Sequence, residues 1–182
     1  MLALILPIAA AAQTQPFEPY EGQAGKDVVW VPTPRALVEK MLDLAAVTPR
    51  DVVVDLGSGD GRVVIAAAKR GARSLGIEYE PEMVELARKN AAAAGVAERA
   101  SFVQGDMFEA DFKQATVLAL FLLPENFNKL RAKFEKLRPG TRIVVNAFPI
   151  QWWNAAETGH SDGDCGNWCT AYLYIVPQPP QP

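Results

Sequence analysis

Short apolar runs alternate with longer amphipathic segments along most of the chain. The first run, at residues 51–55, is almost wholly apolar, which is typical of a parallel strand that is covered on both faces. In the first amphipathic segment, Leu37, Met41 and Ala45 recur at helical spacing behind Pro34, a residue type favoured at a helix start. The predicted strands are 51–55, 74–78, 100–104, 116–122, 141–148 and 170–176, and the predicted helices are 34–46, 61–69, 81–94 and 125–137.

This alternation predicts one α/β domain at residues 34–176, built as a doubly wound, Rossmann-like sheet with right-handed crossovers. A lead-in at residues 13–33 precedes the domain; it contains several prolines and polar residues and is predicted to be extended. Residues 177–182 consist of proline and glutamine and predict a disordered tail.

Residues 1–12 form an uninterrupted apolar leader that ends in a run of alanines. Such a run before a polar stretch is typical of an export signal, but the basic residues that open such signals are missing. The leader is also too short to span a bilayer as a helix. An export signal, the remnant of a membrane anchor and an unstructured leader therefore all stay open.

The composition is that of a globular protein with one core, because 49% of the 182 residues are hydrophobic. The formal net charge of −3 disfavours a protein built to bind nucleic acid, which needs an excess of basic side chains. Basic residues do cluster in the predicted helix 125–137, where a solvated outer face is the favoured interpretation.

The two cysteines, Cys165 and Cys169, lie close together near the end of the domain. Together with His160 they fall short of the four ligands of a structural zinc site, so we predict no metal. Two ordinary thiols or one local disulfide are the remaining interpretations.

The turn after the first predicted strand has the sequence Asp55-Leu-Gly-Ser-Gly-Asp-Gly-Arg62. Glycines allow a ligand to approach the backbone closely, and the following helix points its first N–H groups at that ligand. A dinucleotide fingerprint needs its third glycine one residue later; this spacing is instead the pattern of class I methyltransferases, which bind S-adenosylmethionine. The turn residues predicted to bind this cofactor are Asp55, Gly57, Ser58, Gly59, Asp60 and Gly61.

Two further acids stand at the carboxyl ends of the next two predicted strands. Glu78 follows the glycines by about twenty residues, where an acid binds ribose hydroxyls in related folds. Asp106 ends the third strand, where an acid is expected to meet the adenine amino group. We expect Tyr79, Met107 and Phe121 to complete the cofactor pocket with apolar surface.

The segment Trp30-Val-Pro-Thr-Pro34, together with residues 55–69, resembles small methyltransferases related to the mitochondrial lysine methyltransferases of the ATP synthase c-subunit and the adenine nucleotide translocase. The resemblance covers roughly residues 28–176. It implies the class I methyltransferase sheet, seven-stranded or slightly reduced, with an antiparallel last strand. It also implies a protein lysine as methyl acceptor and membrane association through residues 1–12. The motif Glu78-Tyr-Glu-Pro81 departs from the E-L-N-P of the mitochondrial enzymes.

Methyl transfer from a sulfonium requires alignment and exclusion of water rather than a metal or a covalent nucleophile, so no catalytic residue is identified. An apolar, aromatic slot would lower the pKa of a lysine amine by desolvation. The candidate slot residues are Trp30, Thr33, Phe121, Pro124, Phe148, Pro149 and Trp152. We expect the stiff, proline-containing segment 30–34 to fold over the ligand crevice.

Three functions remain open from the sequence. A protein-lysine N-methyltransferase is favoured, a small-molecule methyltransferase comes second, and a non-catalytic S-adenosylmethionine-binding module is the third. A nucleic-acid base is disfavoured as acceptor, because the fourth strand is followed by Phe121-Leu-Leu-Pro-Glu-Asn126 rather than an Asn/Asp-Pro-Pro motif. The cellular location stays open, because cofactor supply favours the cytoplasm whereas the leader favours export.

Overall fold

The structure is a computed structural model that describes residues 17–162, 165 and 168–177. Its strands are β1 (Val52–Leu56), β2 (Arg73–Glu78), β3 (Ala100–Gln104), β4 (Val117–Leu120), β5 (Arg142–Asn146), β6 (Glu157–His160) and β7 (Thr170–Ile175). Its helices are α1 (Arg35–Leu44), α2 (Arg62–Lys69), α3 (Pro81–Ala93) and α4 (Pro124–Phe134). The leader 1–12 and residues 178–182 of the predicted tail lie outside the described residues.

All seven strands belong to one sheet with the order β3-β2-β1-β4-β5-β7-β6. Neighbours from β3 to β5 pair in parallel, and β7 pairs antiparallel with both β5 and β6. The predicted doubly wound α/β sheet with an antiparallel last strand is thus confirmed. Strand β6 was missed because three of its four residues are exposed, which leaves no apolar pattern to read.

Side chains of one strand alternate between two apolar layers. Val53 packs with residues of α1 and α2 on one face, whereas its neighbour Val54 packs with residues of α4 on the other. Helix α3 packs beside α2 against Ala100 and Phe102 of β3. Because helices cover both faces, the central strands carry hardly any polar residues, which explains their clear signal in the sequence.

The chain runs outward from β1 to β3 and then crosses back to β4 on the other side of β1. At this point of the sheet the loops after β1 and β4 diverge to opposite faces and leave a crevice at the carboxyl ends of the strands. The loops that follow β1, β2, β3 and β4 all reach this crevice, and the polar residues predicted from the sequence stand on these loops or on the last residues of the strands.

The lead-in is not extended throughout. Its residues 20–33, called the strap below, double back at Ala24, which pairs with Val29 in an antiparallel bridge. Gly22 also donates its backbone N–H to the carbonyl of Trp30 at 2.8 Å. Within the part of the chain that the structure describes, no helix is long and apolar enough to cross a membrane.

Candidate active site

A cleft of about 320 Å³ opens at the crevice between the strap and the carboxyl ends of the strands. Most of the residues predicted from the sequence line it: Trp30, Thr33, Asp55, Gly57, Ser58, Gly59, Asp60, Glu78, Tyr79, Asp106, Met107, Phe121 and Phe148. The fold therefore brings together side chains that come from the strap and from the loops after β1 to β5.

Four predicted residues do not line the cleft. Gly61 is the N-cap residue before α2 and has a φ of 83°; a Cβ there would lie 2.7 Å from the ring of Phe102, so its small size serves the packing of helix on sheet. Pro124 is the first residue of α4 and Pro149 is exposed. Trp152 stacks on Trp153 outside the cleft, with 5.6 Å between ring centroids. The sequence shows where these four residues stand along the chain, but it does not show whether they line the cleft.

The glycine turn after β1 is held by backbone hydrogen bonds. Gly57 and Ser58 both donate N–H groups to the carbonyl of Ile77, at 2.8 and 3.2 Å. Gly57 and Gly59 have φ values of 76° and 52°, in the left-handed region that glycine adopts readily. The side-chain oxygen of Ser58 is buried without a hydrogen-bond partner among the described residues and packs against Gly76 of β2, where an added Cβ would lie 2.5 Å from it.

Glu78 joins the glycine turn to the start of the β2–α3 loop. Its Oε2 accepts the N–H of Gly59 at 2.8 Å, and its Oε1 accepts the N–H groups of Tyr79 and Glu80 at 2.8 and 3.1 Å. The carboxylate is therefore fixed in one orientation at the edge of the cleft. Its oxygens keep capacity for a further donor, because a carboxylate accepts about four hydrogen bonds.

Asp55 lies at the floor of the cleft and is almost fully buried. Burial raises the pKa of its carboxyl well above the usual range, and the nearby carboxylates of Glu78 and Asp60 raise it further. Without a ligand this environment therefore favours the neutral, protonated form of Asp55. A positively charged ligand fits such a site, because it would stabilise the ionised form of Asp55.

Asp60 is engaged with Arg62 in a bidentate pair, with distances of 2.9 and 2.6 Å to Nε and Nη2. Arg62 also donates from Nη1 to the carbonyl of Thr33 at 2.9 Å. The pair therefore ties the glycine turn to the strap. The sequence predicted Asp60 as a ligand of the cofactor, whereas its pairing with Arg62 and the strap is visible only in the structure.

The strap packs over the glycine turn at Gly59. The indole of Trp30 rests on Gly59, where an added Cβ would lie 2.5 Å from the indole nitrogen. Farther along, Lys26 forms an ion pair with Asp106, and its ammonium lies 4.8 Å from the ring centroid of Tyr79. The hydrogen bond from Lys26 and a second one from the backbone N–H of Phe108 lower the pKa of Asp106.

Aromatic rings form the end of the cleft beyond β4 and β5. Phe121 and Phe148 lie nearly parallel, with centroids 6.3 Å apart and 22° between their planes. Phe148 is directed there by a tight turn, in which its N–H bonds to the carbonyl of Asn146 at 2.7 Å and Ala147 has a φ of 61°. Trp168 adds a third ring, which the sequence analysis missed because it is 20 residues further along the chain.

The two cysteines form a disulfide between Cys165 and Cys169, with 5.2 Å between their Cα atoms. This settles the choice between two thiols and a local disulfide that the sequence left open. No group of three or more metal-ligating side chains occurs among the residues that the structure describes.

The fold and the glycine turn with its carboxylates define a class I S-adenosylmethionine-dependent methyltransferase. The family model described as the ANTKMT methyltransferase domain matches residues 55–157, and the chain belongs to this family. A second family model, a DNA methylase, matches residues 16–89. The chain binds S-adenosylmethionine as its methyl donor, as its family and its structural relatives with bound S-adenosylhomocysteine show.

Individual relatives extend this likeness over most of the chain. A protein-lysine N-methyltransferase of Saccharolobus islandicus is 42% identical over 82% of this chain and 94% of its own length. The ATP synthase c-subunit lysine N-methyltransferase of Mus musculus is 38% identical, and the match spans 60% of this chain but only 44% of that protein. The crystal structure of an RNA methyltransferase from Salinibacter ruber, in complex with S-adenosylhomocysteine, is 47% identical over 83% of this chain and 97% of its own, with a TM-score of 0.76.

We expect Asp55→Asn to stabilise the ligand-free protein above neutral pH and to lower its affinity for S-adenosylmethionine about tenfold or more. Because the folded state raises the pKa of Asp55, it holds a proton that the unfolded state has released, so stability falls as the pH rises above the ordinary value of 3.8. Asparagine cannot ionise, so the variant lacks both this pH-dependent loss of stability and the negative charge. Melting temperatures of both proteins between pH 4 and pH 9 should diverge as the pH increases.

The matched control is Glu98→Gln, which removes an exposed carboxyl outside the cleft. It should change neither the melting temperature nor the affinity appreciably. If the melting temperatures of Asp55→Asn and the wild type change in parallel across this pH range, the proposed environment of Asp55 is contradicted.

Proposed function

We propose that the protein transfers methyl groups to the side-chain nitrogen of lysine in a protein. The charge of the cleft carries this proposal. Among the described residues that line it, six are acidic and two, Lys26 and Arg62, are basic; both basic side chains are paired with acids. Such a cleft attracts a lysine ammonium by its net negative field and offers no unpaired cation to a phosphate backbone.

The cofactor residues follow from the same cleft. We propose that the glycine turn and Asp55 hold the amino-acid end of S-adenosylmethionine, that Glu78 binds its ribose, and that Asp106, Tyr79 and Met107 surround its adenine. The bound cofactor supplies a methyl group activated by a sulfonium. The carboxylates of Glu78 and Asp60 around Asp55 support this assignment, because they suit a cationic ligand.

The acceptor would enter at the aromatic end formed by Phe121, Phe148 and Trp168. We therefore assign Phe121 to the acceptor end rather than to the cofactor pocket for which the sequence also proposed it. Apolar walls lower the pKa of a lysine by desolvation and so favour the neutral amine, whose nitrogen lone pair is the nucleophile. The same aromatic faces attract an ammonium and its methylated products by cation–π interactions. Alignment and exclusion of water are then the main tasks left to the protein.

RNA is the second candidate acceptor, because the similar Salinibacter ruber protein is named an RNA methyltransferase. A small molecule is the alternative kept from the sequence. Association with a membrane through residues 1–12 also stays a prediction from the sequence, since these residues lie outside the described ones. The paired basic residues of the cleft favour lysine over RNA.

The test uses purified protein with S-adenosylmethionine that carries a tritiated methyl group. It is offered in parallel a lysine-containing protein extract, total RNA and a metabolite extract of the same cells. We expect the label in a fraction that is sensitive to protease and resistant to RNase, and hydrolysis should yield methylated lysine. Label in RNA alone, or in small molecules alone, would contradict the proposal.

We further expect Trp30→Ala to lower methyl transfer about tenfold or more while lowering the melting temperature by no more than about 4 °C. The indole closes the cleft over Gly59, so its loss admits water and loosens the turn. The control is Tyr20→Ala on the same strap, whose side chain is 69% exposed and should matter little. Equal losses of stability and activity in Trp30→Ala would instead make Trp30 a packing anchor.

A further inference from the structure

We infer that Trp168 forms the third wall of the acceptor end and that the Cys165–Cys169 disulfide holds it there. This inference rests on the proposed lysine acceptor and adds to it a residue that determines specificity. It also makes acceptor binding depend on the oxidation state of two cysteines that stand outside the cofactor site.

The three rings are arranged as the walls of a corner rather than as a continuous stack. The centroid of Trp168 lies 5.8 Å from that of Phe121 and 5.7 Å from that of Phe148. Its plane is inclined by 59° and 64° to theirs, whereas the two phenylalanine rings are nearly parallel to each other. An ammonium that enters such a corner meets ring surface from more than one direction, which is the arrangement that favours cation–π binding.

Trp168 reaches this corner from the connection between β6 and β7, not from the parallel part of the sheet. Its N–H donates to the carbonyl of Cys165 at 2.9 Å, and the N–H of Ser161 donates to the carbonyl of Cys169 at 2.9 Å. The disulfide closes the same short segment covalently, and Cys165 is only 4% exposed. Trp168 is thus the residue next to a covalent anchor, and we attribute its fixed position to that anchor.

Cofactor binding should not depend on this segment. The groups proposed to bind S-adenosylmethionine stand at the carboxyl ends of β1 and β2 and on the loops after β1, β2 and β3, whereas Trp168 contacts rings that follow β4 and β5. Loss of Trp168 should therefore lower the affinity for the acceptor and leave the affinity for the cofactor unchanged. A merely structural role would instead lower the affinity for both, because it would act through the stability of the domain.

The test measures binding of two probes to the full chain by NMR titration. The first probe is S-adenosylhomocysteine; the second is n-butylamine, which reproduces the end of a lysine side chain and is added to the S-adenosylhomocysteine complex. Trp168→Ala is expected to lower the affinity for n-butylamine about tenfold and Trp168→Phe to lower it less, with the affinity for S-adenosylhomocysteine unchanged. Trp152→Ala is the matched control, because it removes an indole that lies outside the cleft.

The role of the disulfide is tested with the same probes. Dithiothreitol reduces the bridge to two thiols and is itself oxidised to its cyclic disulfide. The reduced wild type and a Cys165→Ser/Cys169→Ser variant should both bind n-butylamine as weakly as Trp168→Ala does. Undiminished binding of n-butylamine by Trp168→Ala, or no binding by the wild type, would overturn the assignment of Trp168. Weak binding by Trp168→Ala but full binding by the reduced protein would overturn the role of the disulfide alone. Failure of the proposed function is a separate result, since it appears as label in RNA or small molecules rather than in methylated lysine.

Discussion

Glu78→Ala should lower the affinity for S-adenosylmethionine about 30- to 100-fold, equivalent to about 2–3 kcal/mol. The change removes the carboxylate proposed to accept a ribose hydroxyl. It also leaves the N–H groups of Gly59 and Tyr79 without their present acceptor, so the glycine turn loses its connection to the loop after β2. Isothermal titration calorimetry with S-adenosylmethionine measures this loss directly.

Glu82→Ala is the control for this experiment, because Glu82 is an exposed acid in the first turn of α3, only four residues further along the chain. It should bind S-adenosylmethionine like the wild type. Glu78→Gln should fall between wild type and Glu78→Ala, because it keeps one carbonyl oxygen but turns an NH₂ group towards backbone donors. Unchanged affinity in Glu78→Ala would mean that the ribose lies elsewhere in the cleft.

Gly59→Ala should have the largest effect, a loss of S-adenosylmethionine affinity of at least about 100-fold, or about 2.7 kcal/mol. Two causes act together at this position. The added Cβ would lie 2.5 Å from the indole nitrogen of Trp30, and the φ of 52° is unfavourable for alanine. Any shift that relieves the clash also moves the N–H that Glu78 accepts.

Gly95→Ala separates these two causes. Gly95 has a φ of 71°, but no heavy atom lies within 4 Å of the position of an added Cβ. This control should lose about 1–2 kcal/mol of folding stability from the left-handed backbone and keep its cofactor affinity. Suppose that Gly59→Ala is folded by circular dichroism and binds S-adenosylmethionine as well as Gly95→Ala does. Close approach of the cofactor and the strap would then not be the reason for glycine at position 59.

The sequence predicted the fold because the strongest signals are local. A parallel strand covered on both faces is apolar at most of its positions, and strands β1, β4 and β5 each contain three or four consecutive apolar residues. Two of these predictions were too long. The predicted strand 116–122 ends at Leu120, and 141–148 ends at Asn146, because the apolar residues that follow turn into the cleft.

Edge strand β6 escaped prediction for the opposite reason. It pairs with β7 alone and exposes most of its side chains, so neither face demands an apolar residue. The directions of Pro124, Pro149 and Trp152 were also beyond the sequence. Each is close in sequence to a residue that lines the cleft, and only the path of the backbone decides which neighbour turns inward.

The sequence by itself determined the cofactor class, because the glycine turn concentrates its requirements in eight consecutive residues. The positive φ values, the acids and the start of a helix are all local properties there. Only the tertiary structure decided how the cleft is closed. Lys26 meets Asp106 across 80 residues of chain, and Trp168 meets Phe121 from the far end of the sheet. Such contacts depend on the order of the strands in the sheet, and the local pattern of residues in the sequence does not specify that order.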